Sequence, residues 1–345
     1  MNSYSNATVA QVITRIAREL ESWLSSHSPS ISDTAAVARS EAETLVLSAT
    51  GWSRLELVSR FSSLVAIDHE ARIASFVSRR LNGEPLQYVV GEAPFYGRLF
   101  VVRPGCLIPR PETEVLVEMA CAWTNRHHPR AHIFDLGTGS GCISLTIALE
   151  CSAALVTSVD ISEAALEIAR ENQARAGGSV RFVQADGLRL LRDMAERASR
   201  APAAGAQVDD ARVDGAQAAL ARVGDGSHGE RGDGLPFEMP PINVLVSNPP
   251  YVPTREVEQL AEEVRSHEPK LALDGGEDGL SFYRDIANIG PGFFSPGSAA
   301  SFFEIGAGQE DAVLALFREN PAWTEWKFVA CDDLNGIPRV IQGTR

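Results

Sequence analysis

Ile133-Phe134-Asp135-Leu136-Gly137-Thr138-Gly139-Ser140-Gly141 takes a short strand straight into a glycine-rich turn, and the largely apolar Cys142 to Leu149 segment behind it reads as a helix. Glycines allow the tight turn and let a ligand come close to the backbone. The spacing is G-x-G-x-G, which differs from the dinucleotide fingerprint G-x-G-x-x-G, and no Lys-Ser/Thr follows to make a P-loop. Beyond the helix, a second strand from Ala154 to Val159 ends in Asp160, about 20 residues past the glycines, where a carboxylate can accept from a ribose diol. Ser162 and Glu163 start a helix with apolar positions at Ala165, Leu166, Ile168 and Ala169. A third strand, Val180 to Gln184, ends in Ala185-Asp186. This succession predicts an α/β sheet that binds a nucleoside; the plain alternative is a purely structural βαβ unit.

Further on, the mostly apolar run Ile242 to Val246 reads as a buried strand, closed by Ser247-Asn248-Pro249-Pro250-Tyr251. The prolines end the strand because neither can donate an N–H. Asn248 is thereby held at the strand's C-terminal edge, where open α/β sheets place their chemistry. Its amide offers one acceptor and two donors, the complement of another amide or of a ring amino group. Tyr251 adds an aromatic wall. The competing reading is that Asn-Pro merely starts a turn.

Taken together, Asp135 to Gly141, Asp160 and Ser247 to Tyr251 resemble class I S-adenosylmethionine-dependent methyltransferases of the amino-methylating kind. Leu107-Ile108-Pro109-Arg110-Pro111-Glu112-Thr113-Glu114 narrows the resemblance, as do Glu268-Pro269, Ala272 to Leu280, and Phe303-Glu304-Ile305-Gly306. From about Ala38 to Arg339 the chain is similar to the HemK/PrmC family, which methylates the glutamine side-chain amide in the Gly-Gly-Gln motif of class I peptide chain release factors.

The resemblance implies an α/β fold, a Rossmann-like mixed sheet with helices on both faces, joined to a small N-terminal helical bundle by a β-hairpin linker. It implies S-adenosyl-L-methionine as cofactor, held by Gly137, Thr138, Gly139, Ser140 and Gly141, by Asp160, and by Asp186 and Gly187, with Asn248 beside it. Relatives often carry an aromatic over the adenine at the position of Gly187; here Leu188 or Phe182 is left for that cover. Asn248, Pro249 and Tyr251 are the implied catalytic residues, and Asn248, Pro249, Pro250, Tyr251, Glu112 and Thr113 the implied substrate residues, with Glu112 and Thr113 expected at the methionine end. No metal is implied, and His127 and His128, in a polar loop, are given no catalytic part.

The domain expectation is a release-factor-binding bundle over 1–85, a hairpin linker over 86–112 and the methyltransferase domain over 113–345. Helices are expected at Val9 to Leu24, Thr34 to Leu47, Ser53 to Phe61 and Ile67 to Leu81, then a hairpin using alternating Val89, Phe95, Leu99 and Val101. Trp323 and Trp326 fit a core or strand-edge position. From about Arg197 to Pro240 the chain is rich in Ala, Gly, Asp and Arg and poor in large apolar residues, and is expected to be an inserted flexible surface loop.

Composition sets bounds on function. The 345 residues suggest more than one domain. A net charge of −14 is the opposite of the basic footprint of a duplex-DNA protein, so stable DNA binding is not expected. Five scattered cysteines without a CxxC pair, and no signal peptide, point to reduced thiols in a cytoplasm. No apolar run approaches 18 residues, so no membrane span is expected, and the protein is expected to be a monomer. Two other activities share these motifs, N6-adenine DNA methylation and glutamine methylation of a different protein; a non-catalytic cofactor-binding scaffold is the remaining alternative.

Overall fold

The computed structural model describes all residues except 1–3, 5, 28–31, 153 and 201–238. The chain folds into two compact units: Met1–Ala93, Val101–Ile108 and Arg255–Lys270 form one, and Pro94–Phe100, Pro109–Thr254 and Leu271–Arg345 the other.

The first unit is helical. Val9–His27 (α1) buries the stripe Val9, Val12, Ile13, Ile16, Leu20 and Leu24, the 3.6-residue period of an amphipathic helix. Thr34–Thr50 (α2) starts on Asp33, whose side chain accepts from the Ala36 N–H, and stops at the left-handed Gly51. Arg54–Ser59 (α3) opens with a capping box between Ser53 and Glu56. Ile67–Leu81 (α4) follows, then the short helix Leu86–Val90 (α5), closed by left-handed Gly91. Val89 therefore lies in a helix and not in the alternating strand expected for it. Five residues are too few for a helical period to show, and the left-handed Gly91 ends a helix instead of turning a hairpin.

One side chain in this unit runs against the usual burial rule. Arg80 of α4 is 2% exposed. Its Nε and Nη2 donate to the two Glu41 carboxylate oxygens at 2.8 and 3.1 Å, and Nη2 also pairs with Glu263 at 3.1 Å. Nη1 reaches the Glu84 carbonyl at 3.3 Å, and the guanidinium lies over the Trp23 ring. A fork of five donors can satisfy this many partners where an ammonium could not.

A hairpin follows, Glu92–Phe95 (β1) with Arg98–Val101 (β2). Its turn sits at Tyr96 and Gly97, both at positive φ (50° and 71°), the primed geometry that matches strand twist.

The second unit is built on a sheet of seven strands among the described residues. Thr113–His127 (α6) leads into His132–Leu136 (β3), Cys142–Glu150 (α7), Leu155–Asp160 (β4), Glu163–Ala176 (α8) and Val180–Gln184 (β5). Gly187–Arg200 (α9), Val244–Ser247 (β6), Ala300–Glu304 (β7), Lys327–Asp332 (β8) and Pro338–Thr344 (β9) complete the series. The order is β5-β4-β3-β6-β7-β9-β8, with β9 antiparallel to both its neighbours. Alternate strand residues feed opposite faces. Ile133, Val244 and Phe302 join the α6 and α7 side chains, whereas Phe134, Leu245 and Phe303 join α9 and the helices Ser281–Ile289 and Glu310–Arg318. Trp323 and Trp326 are buried in the second of these clusters. Helix α9 continues to Arg200, so the first residues of the expected insertion are helical; 201–238 lie outside the described residues.

Candidate active site

Strand β3 lies between β4 and β6, and all three run parallel, so their C-terminal tips share one edge of the sheet. At the β3 tip the backbone takes positive φ at Gly137 (91°), Gly139 (53°) and Gly141 (80°), which L side chains rarely adopt. The three glycines differ in what surrounds them. A Cβ on Gly141 would stand 3.0 Å from the Ala169 Cβ, so that glycine packs α7 against α8. A Cβ on Gly137 or Gly139 would meet nothing within 4 Å, and this open backbone is where a ligand can approach.

Asp160, at the β4 tip, pins the loop. Its Oδ2 accepts the Gly139 N–H at 2.9 Å and its Oδ1 the Ser162 N–H at 2.9 Å. Each carboxylate oxygen has further lone-pair capacity for a diol. Beneath the loop runs a buried chain: Thr138 Oγ1 contacts Ser158 Oγ at 2.8 Å, and Ser158 donates to Asp135 Oδ2 at 2.7 Å. Burial pushes the Asp135 carboxyl up to about 7, against the Ser158 hydrogen bond that pulls it down. Asp135 and Ser158 thus support the loop from below, a contact that needs the β3–β4 register and is invisible in either segment alone.

Asp186, exposed at the β5 tip, accepts from the Arg189 N–H at 3.1 Å and opens α9. Gly187 has a steric explanation, since a Cβ there would run into Leu136 Cδ1. Leu188 leans on the core cluster of one sheet face and Phe182 on that of the other. Sequence reasoning passed over Ile161, which is 57% exposed directly after Asp160 and offers an apolar surface at this edge. Its signal was present: a large apolar residue at a polar strand tip.

Asn248 follows β6, the neighbour of β3. Ser247 Oγ donates to the Leu136 carbonyl at 2.5 Å, tying the two tips together. Asn248 is half-buried, and its Nδ2 donates to Thr113 Oγ1 at 3.1 Å. The structure therefore brings Thr113, 135 residues away in sequence, against the Asn248 amide. Glu112 and Arg110 stand near Tyr251, whose hydroxyl is pushed up to about 12, chiefly by burial.

The segment after Asn248 is tightly braced. Gln309 Nε2 donates to the Tyr251 carbonyl at 2.9 Å, and its Oε1 accepts from the Gly306 N–H at 2.9 Å. Gly275 N–H donates to the Val252 carbonyl at 2.8 Å, and a Cβ on Gly275 would crowd the Pro250 carbonyl at 2.7 Å. Gly275 and Gly279 are thus glycines because the Pro250-Tyr251 backbone lies against them, whereas a Cβ on Gly276 would meet Ser281.

The open backbone at Gly137 and Gly139, the acid at the next tip and the exposed Ile161 suit a nucleoside bearing an amino-acid tail. Asp160→Ala is expected to weaken S-adenosylmethionine binding by roughly 1.5–3 kcal/mol, since a charged acceptor is lost and the Gly139 N–H is left unpaired. Calorimetric titration measures this; unchanged affinity would remove Asp160 from the site.

The chain is similar to known proteins over most of its length. Residues 32–91 match a model described as the PrmC N-terminal domain, and residues 133–223 one described as a methyltransferase domain. A release factor glutamine methyltransferase of Geobacter sulfurreducens is 34% identical over 309 residues, covering 89% of each chain. One from Bordetella pertussis is 36% identical over 282 residues, covering 81% of this chain and 86% of its own. The crystal structure of a release-factor-specific protein-(glutamine-N5) methyltransferase from Alicyclobacillus acidocaldarius is 30% identical, with a TM-score of 0.39; the match covers 71% of this chain and 99% of that one.

Proposed function

The chain belongs to the release factor glutamine methyltransferases, and on that footing we propose that Asn248, Pro249 and Tyr251 hold the glutamine of a release factor while the edge from Gly137 to Asp160 holds S-adenosylmethionine. The enzyme methylates the side-chain amide nitrogen of that glutamine, in the Gly-Gly-Gln motif of class I release factors. The observation that carries the assignment is the adjacency of two strand tips: open glycine backbone after β3 and an anchored Asn248 after β6, joined by Ser247.

When bound, S-adenosylmethionine supplies a sulfonium methyl that is electrophilic without further activation. The obstacle is the target nitrogen, whose lone pair is shared with its carbonyl. The Asn248 Oδ1 and the Pro249 carbonyl can each accept one N–H of the target amide. That fixes the nitrogen's approach and stabilises positive charge as it develops. Tyr251 packs beside Gly306, its Cδ2 3.1 Å from where a Cβ would stand, and walls the site on that side.

The N-terminal bundle is assigned to gripping the release factor, and the enzyme is placed in the cytoplasm as a monomer. No helix among the described residues is long and apolar enough to cross a membrane. The net charge of −14 favours a basic protein partner over DNA.

The test is mass spectrometry of release factor after incubation with the protein and S-adenosylmethionine, with free DNA as a parallel substrate. A gain of one methylene on the Gly-Gly-Gln glutamine is expected. Methylation of adenine, or of a glutamine elsewhere only, would overturn the assignment.

A further inference from the structure

We infer that Glu304 and Thr113 set which end of the Asn248 amide faces the target, so that Glu304 is a positioning residue three hydrogen bonds from the reacting nitrogen. This deepens the functional reading above and rests on it.

The amide of asparagine has two ends of nearly equal shape and opposite hydrogen-bonding sense. Catalysis by Asn248 requires the acceptor end to meet the target N–H groups; a flipped amide would present N–H to N–H. Asn248 is held by Thr113, through Nδ2 to Oγ1 at 3.1 Å. A hydroxyl alone cannot choose between the ends, because it both donates and accepts. The choice comes from the next contact. Thr113, 2% exposed, also hydrogen-bonds the side chain of Glu304, the last residue of β7. A carboxylate can only accept. Thr113 therefore gives its proton to Glu304 and keeps only lone pairs for Asn248, which must answer with Nδ2. Oδ1 is left for the target.

Glu304 is itself 1% exposed, and its Oε2 has no hydrogen-bond partner among the described residues. An unsatisfied buried carboxyl oxygen is a costly feature for a strand end that apolar residues could fill. Burial pushes the Glu304 carboxyl up to about 7, while the Thr113 hydrogen bond, Arg339 and Arg110 pull it down and Glu112 raises it. The sense is imposed by the carboxylate form; protonation would add an O–H donor, as a glutamine amide adds N–H donors.

The test compares Thr113→Val, Thr113→Ser, Glu304→Gln and the double variant Thr113→Val/Asn248→Ala with the parent. Steady-state methylation of a release factor gives kcat and KM, and calorimetric titration gives S-adenosylmethionine affinity. Thr113→Val is expected to lower kcat by about 10–100-fold, leaving KM and cofactor affinity within about threefold, because orientation and not binding is lost. Thr113→Ser restores the hydroxyl and should recover most of that loss. Glu304→Gln should fall between them, since its amide can offer Thr113 a donor as well as an acceptor and no longer imposes a sense. In the Asn248→Ala background Thr113→Val should cost nothing more, the signature of residues acting through one another.

The inference is overturned if Thr113→Val keeps kcat within about threefold of the parent, if Ser and Val are equally impaired, or if the Thr113 and Asn248 losses add in full. It is overturned as well if cofactor affinity falls in step with kcat. A parent enzyme that leaves release factor unmodified sinks the functional reading and this inference together, whereas an active parent with any of those outcomes sinks the inference alone.

Discussion

Asn248→Ala is expected to lower the single-turnover methylation rate of release factor by about 10²–10³-fold at saturating cofactor, a loss of roughly 3–4 kcal/mol of transition-state stabilisation. The side chain removed is the acceptor proposed for the target amide. S-adenosylmethionine affinity should stay within a few-fold, since the Gly137–Gly141 loop is held by Asp160, Ser158 and Val159 and not by Asn248. Asn248→Asp sharpens the test: it still accepts hydrogen bonds but brings a charge into a half-buried position and loses the donor to Thr113. Impairment short of abolition is expected. Should Asn248→Ala retain more than about a tenth of the parent rate, a loss under about 1.4 kcal/mol, Asn248 is a turn residue and the active-site assignment fails.

Arg80→Ala is expected to destabilise the helical unit by about 3 kcal/mol, read as a fall in the urea midpoint at unchanged slope. The Glu41 contact carries most of this, for its side chain is only 12% exposed; Glu263, a third exposed, contributes the smaller, solvent-screened part. Loss of the guanidinium over Trp23 adds to the total. Arg80→Lys should recover only part, because a point charge cannot span both Glu41 oxygens and Glu263 at once. A loss below about 1 kcal/mol for Arg80→Ala would mean that the ion pairs are solvated in solution.

What the sequence disclosed about the fold was whatever a short window can hold. Ser162 caps α8, the strand Val180–Gln184 has the bounds expected of it, and the bundle helices start where their apolar stripes start. The tips were legible because glycine, aspartate and Asn-Pro-Pro-Tyr each interrupt an apolar run. The short α5 was not, since five residues cannot show a period of 3.6. Nor was the support of the site. Thr113 looks like an ordinary helix start and Glu304 like the polar end of a buried strand, until β7 is laid beside β6 and α6 is packed against both. Gly187 had the look of a missing adenine cover; a Cβ there would run into Leu136, the last residue of β3.

The chain passes between the two compact units at Ala93–Pro94, Phe100–Val101, Ile108–Pro109, Thr254–Arg255 and Lys270–Leu271. The helical unit is therefore not a module that one cut can release. A graft bounded by residues 32–91 would carry Arg80 and Glu41 but omit α1 with Trp23, and leave Glu263 behind in the recipient. Chimaeras designed to exchange the helical unit between relatives will need to move 101–108 and 255–270 together with the N-terminal helices. Natural recombination at a single breakpoint meets the same obstacle, so the two units are expected to be inherited as one.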